Sequence, residues 1–411
     1  MITWLLVLLT TAQASTKSYF EDIENFTQKN LNLKSEVQTQ QFREDSLMSK
    51  KLFWTPKIGV SAYQIQKQVK EQSQDQWTTA NTKSDGVQAD LTLNLYRGGA
   101  DYNSLKSAEA LLKHQELQVV NENLKLQVTA SDLVFKNLYL VESAELQEKI
   151  LKLKEESLKI TQDRYRQGRT PQQEVTKAEV DISQQKNKLR LAKLEVSENQ
   201  SQIRALFIEE IKTKAWPFSE KIMAKTTEKS QKMPLVEQKY WLSQAQEQIW
   251  KSAKASHWPS LDLSLQYKEF PFNDRSNRET SGALTLTIPI WSQFETQAKV
   301  SSAYAEYFAA LNDFKVTEKS AVEKSNFLKE KLEVLRQNLM DAKKNLLVSR
   351  KLYQDILKSF RLGRLSTNDL FIEQNRLLEN ENSFSSSQLS FHQSVVETCA
   401  LAGLNVKDCV Y

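Results

Sequence analysis

Hydrophobic and polar positions along this chain switch between two periods, and they do so twice. Ile58, Val60 and Ala62 alternate with Gly59, Ser61 and Tyr63. After a polar stretch from Lys67 to Asp85, Val87, Ala89, Leu91, Leu93 and Leu95 alternate with Gln88, Asp90, Thr92 and Asn94. Period 2 places the apolar side chains on one face, so each run predicts a β-strand. The pattern returns as Leu261, Leu263, Leu265 and Tyr267, then as Leu284, Leu286, Ile288 and Ile290, around a polar turn from Lys268 to Gly282. Helical spacing governs the rest. Residues 19–53 read as helix, with apolar positions at Phe20, Ile23, Phe26, Leu31 and Leu33. Asp101 to Gln167 contains neither Gly nor Pro, and such a helix spans roughly 100 Å at ~1.5 Å per residue. Leu112, Val119, Leu126, Leu133 and Leu140 form one heptad stripe; Leu117, Val120, Leu124, Val128, Phe135 and Leu138 form a second. Two stripes predict a helix seamed to more than one neighbour.

The long helix stops at Arg164-Tyr-Arg-Gln-Gly-Arg-Thr-Pro-Gln-Gln-Glu174. Gly168 tolerates the positive φ that ends a helix. Thr170, Pro171 and Gln173 are start signals for the next one. This is the tip of a helical hairpin, whose return helix runs from Val175 to Phe207. Ser359-Phe-Arg-Leu-Gly-Arg-Leu-Ser-Thr-Asn-Asp369 repeats the device, and Gly363 lies 363 − 168 = 195 residues after Gly168. The same offset relates Leu112 to Tyr307, Val119 to Phe314 and Leu95 to Ile290, so strand, helix and tip are duplicated together. The organisation predicted is a first repeat over 15–207 with a β-hairpin at 56–97 and a tip at 164–174. A belt or linker follows at 208–235. A second repeat covers 236–403 with a hairpin at 259–291 and a tip at 359–369, and a tail closes the chain at 404–411.

Composition narrows the classes. With 8 Gly and 7 Pro in 411 residues, long helices are favoured over an α/β enzyme. A formal charge of +5 without a dense basic block argues against nucleic acid as partner. His114, His257 and His392 fall in different elements, no metal-ligand spacing is present, and neither a phosphate loop nor a nucleophile elbow occurs. The chain therefore reads as neither an enzyme nor a cofactor protein. Residues 1–14 form a short apolar core ending Ala12-Gln13-Ala14, the pattern of a secretory signal peptide, although no basic residue precedes it. Cys399 and Cys409 are the only cysteines; spacing leaves open whether they form a disulfide or stay as thiols.

A strand of about ten residues with one apolar face matches a transmembrane barrel strand. Four strands cannot close a barrel, and an open edge in lipid leaves backbone groups unpaired, so membrane insertion demands an oligomer. In their order these features resemble the TolC-type outer-membrane efflux proteins. They are the strand ending Leu91-Thr-Leu-Asn-Leu-Tyr-Arg-Gly-Gly99, its partner Leu284-Thr-Leu-Thr-Ile-Pro-Ile290, the two Gly-bearing tips and the repeat. The resemblance implies a mainly α fold in which long coiled-coil hairpins build a periplasmic tunnel. It implies a homotrimer whose four strands per chain complete a twelve-stranded barrel in outer-membrane lipid. It also implies conduction of substrates handed over by an inner-membrane pump and a periplasmic adaptor, as in tripartite efflux or type I secretion. The family's adaptor-docking tip falls on Arg364-Leu365-Ser366 beside Gly363, while the first tip, at Gly168, reads Arg169-Thr170-Pro171 instead. Its acidic entrance ring falls on Asp369, with Glu174 at the matching place in the first copy and Ile372 where a second acid would stand. Asp369 also fits a local capping box with Ser366. A coiled-coil spacer of the cell envelope is the competing reading; it accounts for the heptads but not for the four alternating strands.

Overall fold

The structure is a computed structural model that describes residues 17–73, 76–206, 211–218, 233–272, 275–290, 294–362 and 364–409. The expected signal peptide, Gly363 and most of the linker at 208–235 lie outside the described residues. The order is helix α1 (17–29), α2 (Leu31–Lys51), strands β1 (Lys57–Ser73) and β2 (Gln76–Arg97), α3 (Ala100–Arg166) and α4 (Gln172–Leu206). Then come α5 (Pro234–Ala255), β3 (Ser260–Phe272), β4 (Arg275–Thr287), α6 (Glu295–Arg361), α7 (Thr367–Leu401) and the short α8 (Val406–Cys409). The fold is mainly helical with one four-stranded antiparallel sheet, as the two periodicities predict.

The repeat is exact in its long helices and their return helices. Both α3 and α6 have 67 residues, and both α4 and α7 have 35. Each pair starts 195 apart (295 − 100 and 367 − 172). The junction before each long helix is duplicated too. Gly99 has φ 85°, and its counterpart 195 residues on, Phe294, has φ 64°. Asn103 N–H donates to the Gly99 carbonyl at 3.1 Å and Ala298 N–H to the Phe294 carbonyl at 2.9 Å. Glycine adopts this left-handed backbone without strain; a phenylalanine there costs on the order of 1–3 kcal/mol.

Two differences from the sequence reading have local causes. The helix expected over 19–53 is divided at Asn30, whose side-chain oxygen accepts the Asn32 amide at 2.9 Å and so caps α2. The strands also run far past their apolar stretches. β1 and β2 pair from Lys57↔Thr92 to Ser73↔Gln76, so most of the polar stretch 67–85 is strand, and the polar turn expected over Lys268–Gly282 is largely strand as well. In the second hairpin, pairing continues through Glu269↔Arg278 to Phe272↔Arg275. Backbone hydrogen bonds hold a ladder whatever the side chains, and a polar ladder needs only water around it. At the other end β4 stops at Thr287, before Pro289, which has no amide to donate.

The chain divides into two compact units, one comprising 1–37, 117–236 and 317–411, the other 38–116 and 237–316. The second contains the sheet, ordered β1-β2-β3-β4. Cross-strand partners Ile58↔Leu91↔Leu265↔Gly282 and Leu93↔Leu263↔Leu284 stack the apolar residues on one face. That face is open: Ile58 is 74% exposed and Leu284 64%. The other face carries Gly59, Asp90, Gln266 and Ser281 in register, and Gln266 Nε2 donates to Asp90 Oδ1 at 2.7 Å. Below the strands, Trp250 stacks on Tyr307 with ring centroids 5.7 Å apart, and Lys113 sits 4.0 Å over the Trp241 ring.

The first unit has its main core where α1, α3, α7 and residues 211–218 meet. Phe135, Tyr19, Phe391 and Val395 are wholly buried there. Both heptad stripes of α3 supply buried positions, Leu126 and Leu140 from one, Leu124, Phe135 and Leu138 from the other. Ser131 Oγ donates to the Gln127 carbonyl, so the Tyr19 hydroxyl, 2.6 Å away, donates to Ser131; burial holds that phenol far above its ordinary range. Asp22 accepts from the Lys212 and Thr213 amides and from the Thr213 hydroxyl at 2.6 Å, pinning the belt segment. The structure joins Cys399 to Cys409 by a disulfide, and Gln127 holds the enclosed tail through the Val406 amide and the Asn405 side chain.

His392 anchors the belt from within. The Gln388 carbonyl lies 2.7 Å from Nδ1 and the Phe218 carbonyl 3.1 Å from Nε2, both able only to accept, while the Phe218 amide points at Nε2 from 3.3 Å. Burial drives the pKa down to about 4, against the weaker upward pull of the two backbone bonds. The folded imidazole thus stays neutral while the unfolded one protonates near 6.5. The resulting stability is complete above pH 6.5 and is lost progressively as pH falls toward 4, on the order of 3 kcal/mol in all. Thermal melts from pH 7 to pH 4 should show this loss, and His392→Gln should flatten it; an equal slope in the variant would exclude His392 as its source.

Candidate channel entrance at the hairpin tips

Both tips are built by one helix-ending device. In the first, Arg169 N–H reaches back to the Arg164 carbonyl and Gly168 N–H to the Tyr165 carbonyl, each at 2.9 Å, with Gly168 at φ 70°. This pair of bonds satisfies carbonyls that the helix end leaves open. In the second tip Arg364 N–H donates to the Ser359 carbonyl at 3.0 Å, the same bond 195 residues on.

The restarts differ. Ser366 caps α7 in a full capping box: its hydroxyl accepts from Asp369 N–H, and the Ser366 amide and hydroxyl donate to Asp369 Oδ2 at 3.0 and 2.7 Å. These bonds, the side-chain one first, hold the Asp369 carboxyl below its ordinary pKa, so it is charged at neutral pH while remaining on the surface. At the first tip α4 starts at Gln172, and Glu174, half-buried in its first turn, gives its amide to the Pro171 carbonyl at 3.1 Å. Gly168, Arg169, Arg364 and Ser366 are exposed. Leu365 instead turns inward, onto the cluster of Tyr353, Phe360 and Leu370 that also receives Leu153 and Ile160 from α3. On α7, Ile372 is 58% exposed one turn beyond Asp369, while Leu370 is buried.

One residue at the tips has a role its sequence position conceals. Arg164 donates from Nη2 to the Phe360 carbonyl at 2.8 Å, and its guanidinium lies 4.2 Å from the Phe360 ring centroid. It ties the end of α3 to the end of α6. As a basic residue in a last helical turn it carries no sequence signal beyond ordinary dipole complementation. Among the described residues no group of three or more His, Cys, Asp or Glu is placed to hold a metal ion, and no helix is long and apolar enough to cross a membrane.

The fold is shared with solved outer-membrane channels. Residues 23–207 match the sequence profile of the outer membrane efflux protein family. No curated protein matches the chain by sequence. Among solved structures, the outer membrane protein VceC of Vibrio cholerae superposes with a TM-score of 0.80 at 15% identity, over 94% of this chain and 96% of that one. The CmeC outer membrane channel of Campylobacter jejuni gives 0.80 at 14% identity over 94% and 85%. The open-state MtrE outer membrane channel of Neisseria gonorrhoeae gives 0.78 at 15% over 94% and 89%. The resemblance drawn from the strands, tips and repeat is thus met by a family profile over the first repeat and by a common fold over nearly the whole chain.

Proposed function

We propose that this chain is one subunit of an outer-membrane channel that carries exported substrates across the outer membrane and the periplasm. The observation that carries the reading is the four-stranded sheet, which exposes a continuous apolar face and leaves β1 and β4 as edges. Such a sheet is stable in lipid only when copies pair edge to edge and close a barrel. Three copies give twelve strands, within the range of bacterial barrels. Residues 1–14 supply the export signal this location requires. The tips, with Gly168, Arg169, Gly363, Arg364, Leu365 and Ser366, are the docking end for a periplasmic adaptor and its inner-membrane pump. Three copies of Asp369, with Glu174 beside them, make an electronegative entrance that favours cations. The solved channels of like fold, described as outer membrane channels, support this reading.

Purified protein in a planar bilayer tests it, together with oligomer mass in detergent. The expected result is a trimer with small, cation-selective openings that multivalent cations block from the tip side. Asp369→Ala should weaken that block; unchanged block would remove Asp369 from the entrance. A soluble monomer without conductance would overturn the channel reading altogether.

A further inference from the structure

Each of the four junctions between helix and strand presents an exposed aromatic ring. Trp54 (65% exposed) precedes β1, Tyr96 (51%) ends β2, Trp258 (63%) precedes β3 and Phe294 (68%) precedes α6. All four lie in the sheet-bearing unit. In the chain each lies within four residues of an exposed or half-exposed apolar position, Ile58, Leu95, Leu261 and Ile290 respectively. Phe294 holds its ring out from a left-handed backbone where the first copy has Gly99. Strain kept at one position, where a glycine would relieve it, points to a use for the side chain. The same four stretches (48–58, 95–103, 252–261 and 288–299) carry Lys50, Lys51, Lys57, Arg97, Lys254 and Lys299 against only Asp101 and Glu295. Lys299 is paired with Glu295 at 2.6 Å and Lys254 lies 3.6 Å over the Trp250 ring, so the charge offered to a ligand comes chiefly from Lys50, Lys51, Lys57 and Arg97.

Amphipathic rings at the edge of an apolar band sit at headgroup depth, and clustered Lys and Arg attract anionic headgroups. Resting on the channel reading, we infer that these junctions form a binding belt for anionic glycerophospholipids of the leaflet on the helix side of the sheet. The rings enter the acyl boundary and the lysines meet the phosphates. The belt sets how deeply the sheet sits.

The test compares insertion into vesicles of phosphatidylglycerol and phosphatidylethanolamine with insertion into phosphatidylcholine vesicles, and counts the phosphatidylglycerol that stays bound in mild detergent. Wild type should prefer the anionic vesicles and retain phosphatidylglycerol. Retention should fall roughly fivefold per cation removed in Lys50→Gln, Lys51→Gln and Lys57→Gln and in their combination. Phe294→Ala and Phe294→Gly should insert less well, with Phe294→Trp restoring insertion. The glycine variant relieves the backbone strain, so poor insertion by it cannot come from that strain. Normal insertion that ignores headgroup charge, with the lysine and Phe294 variants behaving as wild type, would overturn the belt and leave the channel standing. That outcome would assign the junctions to protein contacts. Failure of wild type to insert into any vesicle would overturn both.

Discussion

Arginine at position 284 should abolish stable membrane insertion, while arginine at position 285 should leave it nearly intact. Leu284 lies on the apolar face, paired with Leu263, itself paired with Leu93, and is 64% exposed. Thr285 is its chain neighbour but faces the other way, opposite Asp262 on the polar side. In a barrel the first face meets hydrocarbon and the second meets water. An arginine near the bilayer midplane costs about 2–4 kcal/mol per strand, and every copy in a closed barrel bears it. On the aqueous face the cost is near zero, and Asp262 offers a counter-charge. The measurement is the fraction of oligomer that inserts into vesicles and resists extraction. In a water-soluble spacer both positions are exposed and both arginines would be tolerated alike. Equal tolerance would therefore remove the sheet from the membrane.

The second large effect is expected at Phe135, in the first unit. Its ring is wholly buried, stacks on Tyr19 at 5.4 Å and meets Phe218 at 6.1 Å, Trp216 at 6.2 Å and His392 at 5.4 Å. It is the shared contact through which α1, α7 and the belt segment adhere to α3. Truncation of a buried phenylalanine costs about 3–5 kcal/mol. Phe135→Ala should release residues 211–218 to protease under conditions where wild type resists, and should lower the melting temperature of this unit. Phe135→Leu, which keeps more of the volume, should show a smaller effect. A belt as protected in Phe135→Ala as in wild type would show that Asp22 and His392 suffice to hold it.

The elements were legible because their signals are local. Period 2 in Val87–Leu95 and heptads from Leu112 specify which face is apolar, and the Gly168 tip is closed by backbone geometry within a few residues. The repeat needed only one offset to be read. The full strand lengths were hidden, since polar alternation over 67–85 carries no burial pattern to distinguish ladder from turn. Asn30 was hidden as a breaker because capping depends on the backbone its side chain finds.

By itself the sequence determined the two hairpins, the two long helices with their tips, and the amphipathic sheet, because each follows from the order of neighbouring side chains. Only the tertiary structure decided that Arg164 clasps Phe360, that Leu365 turns inward and that His392 is neutral inside the belt, whereas the Ser366–Asp369 cap was already legible as a local motif. Those three outcomes join residues as far as 196 positions apart or depend on burial. Such facts are set by packing, which no local pattern of residues encodes.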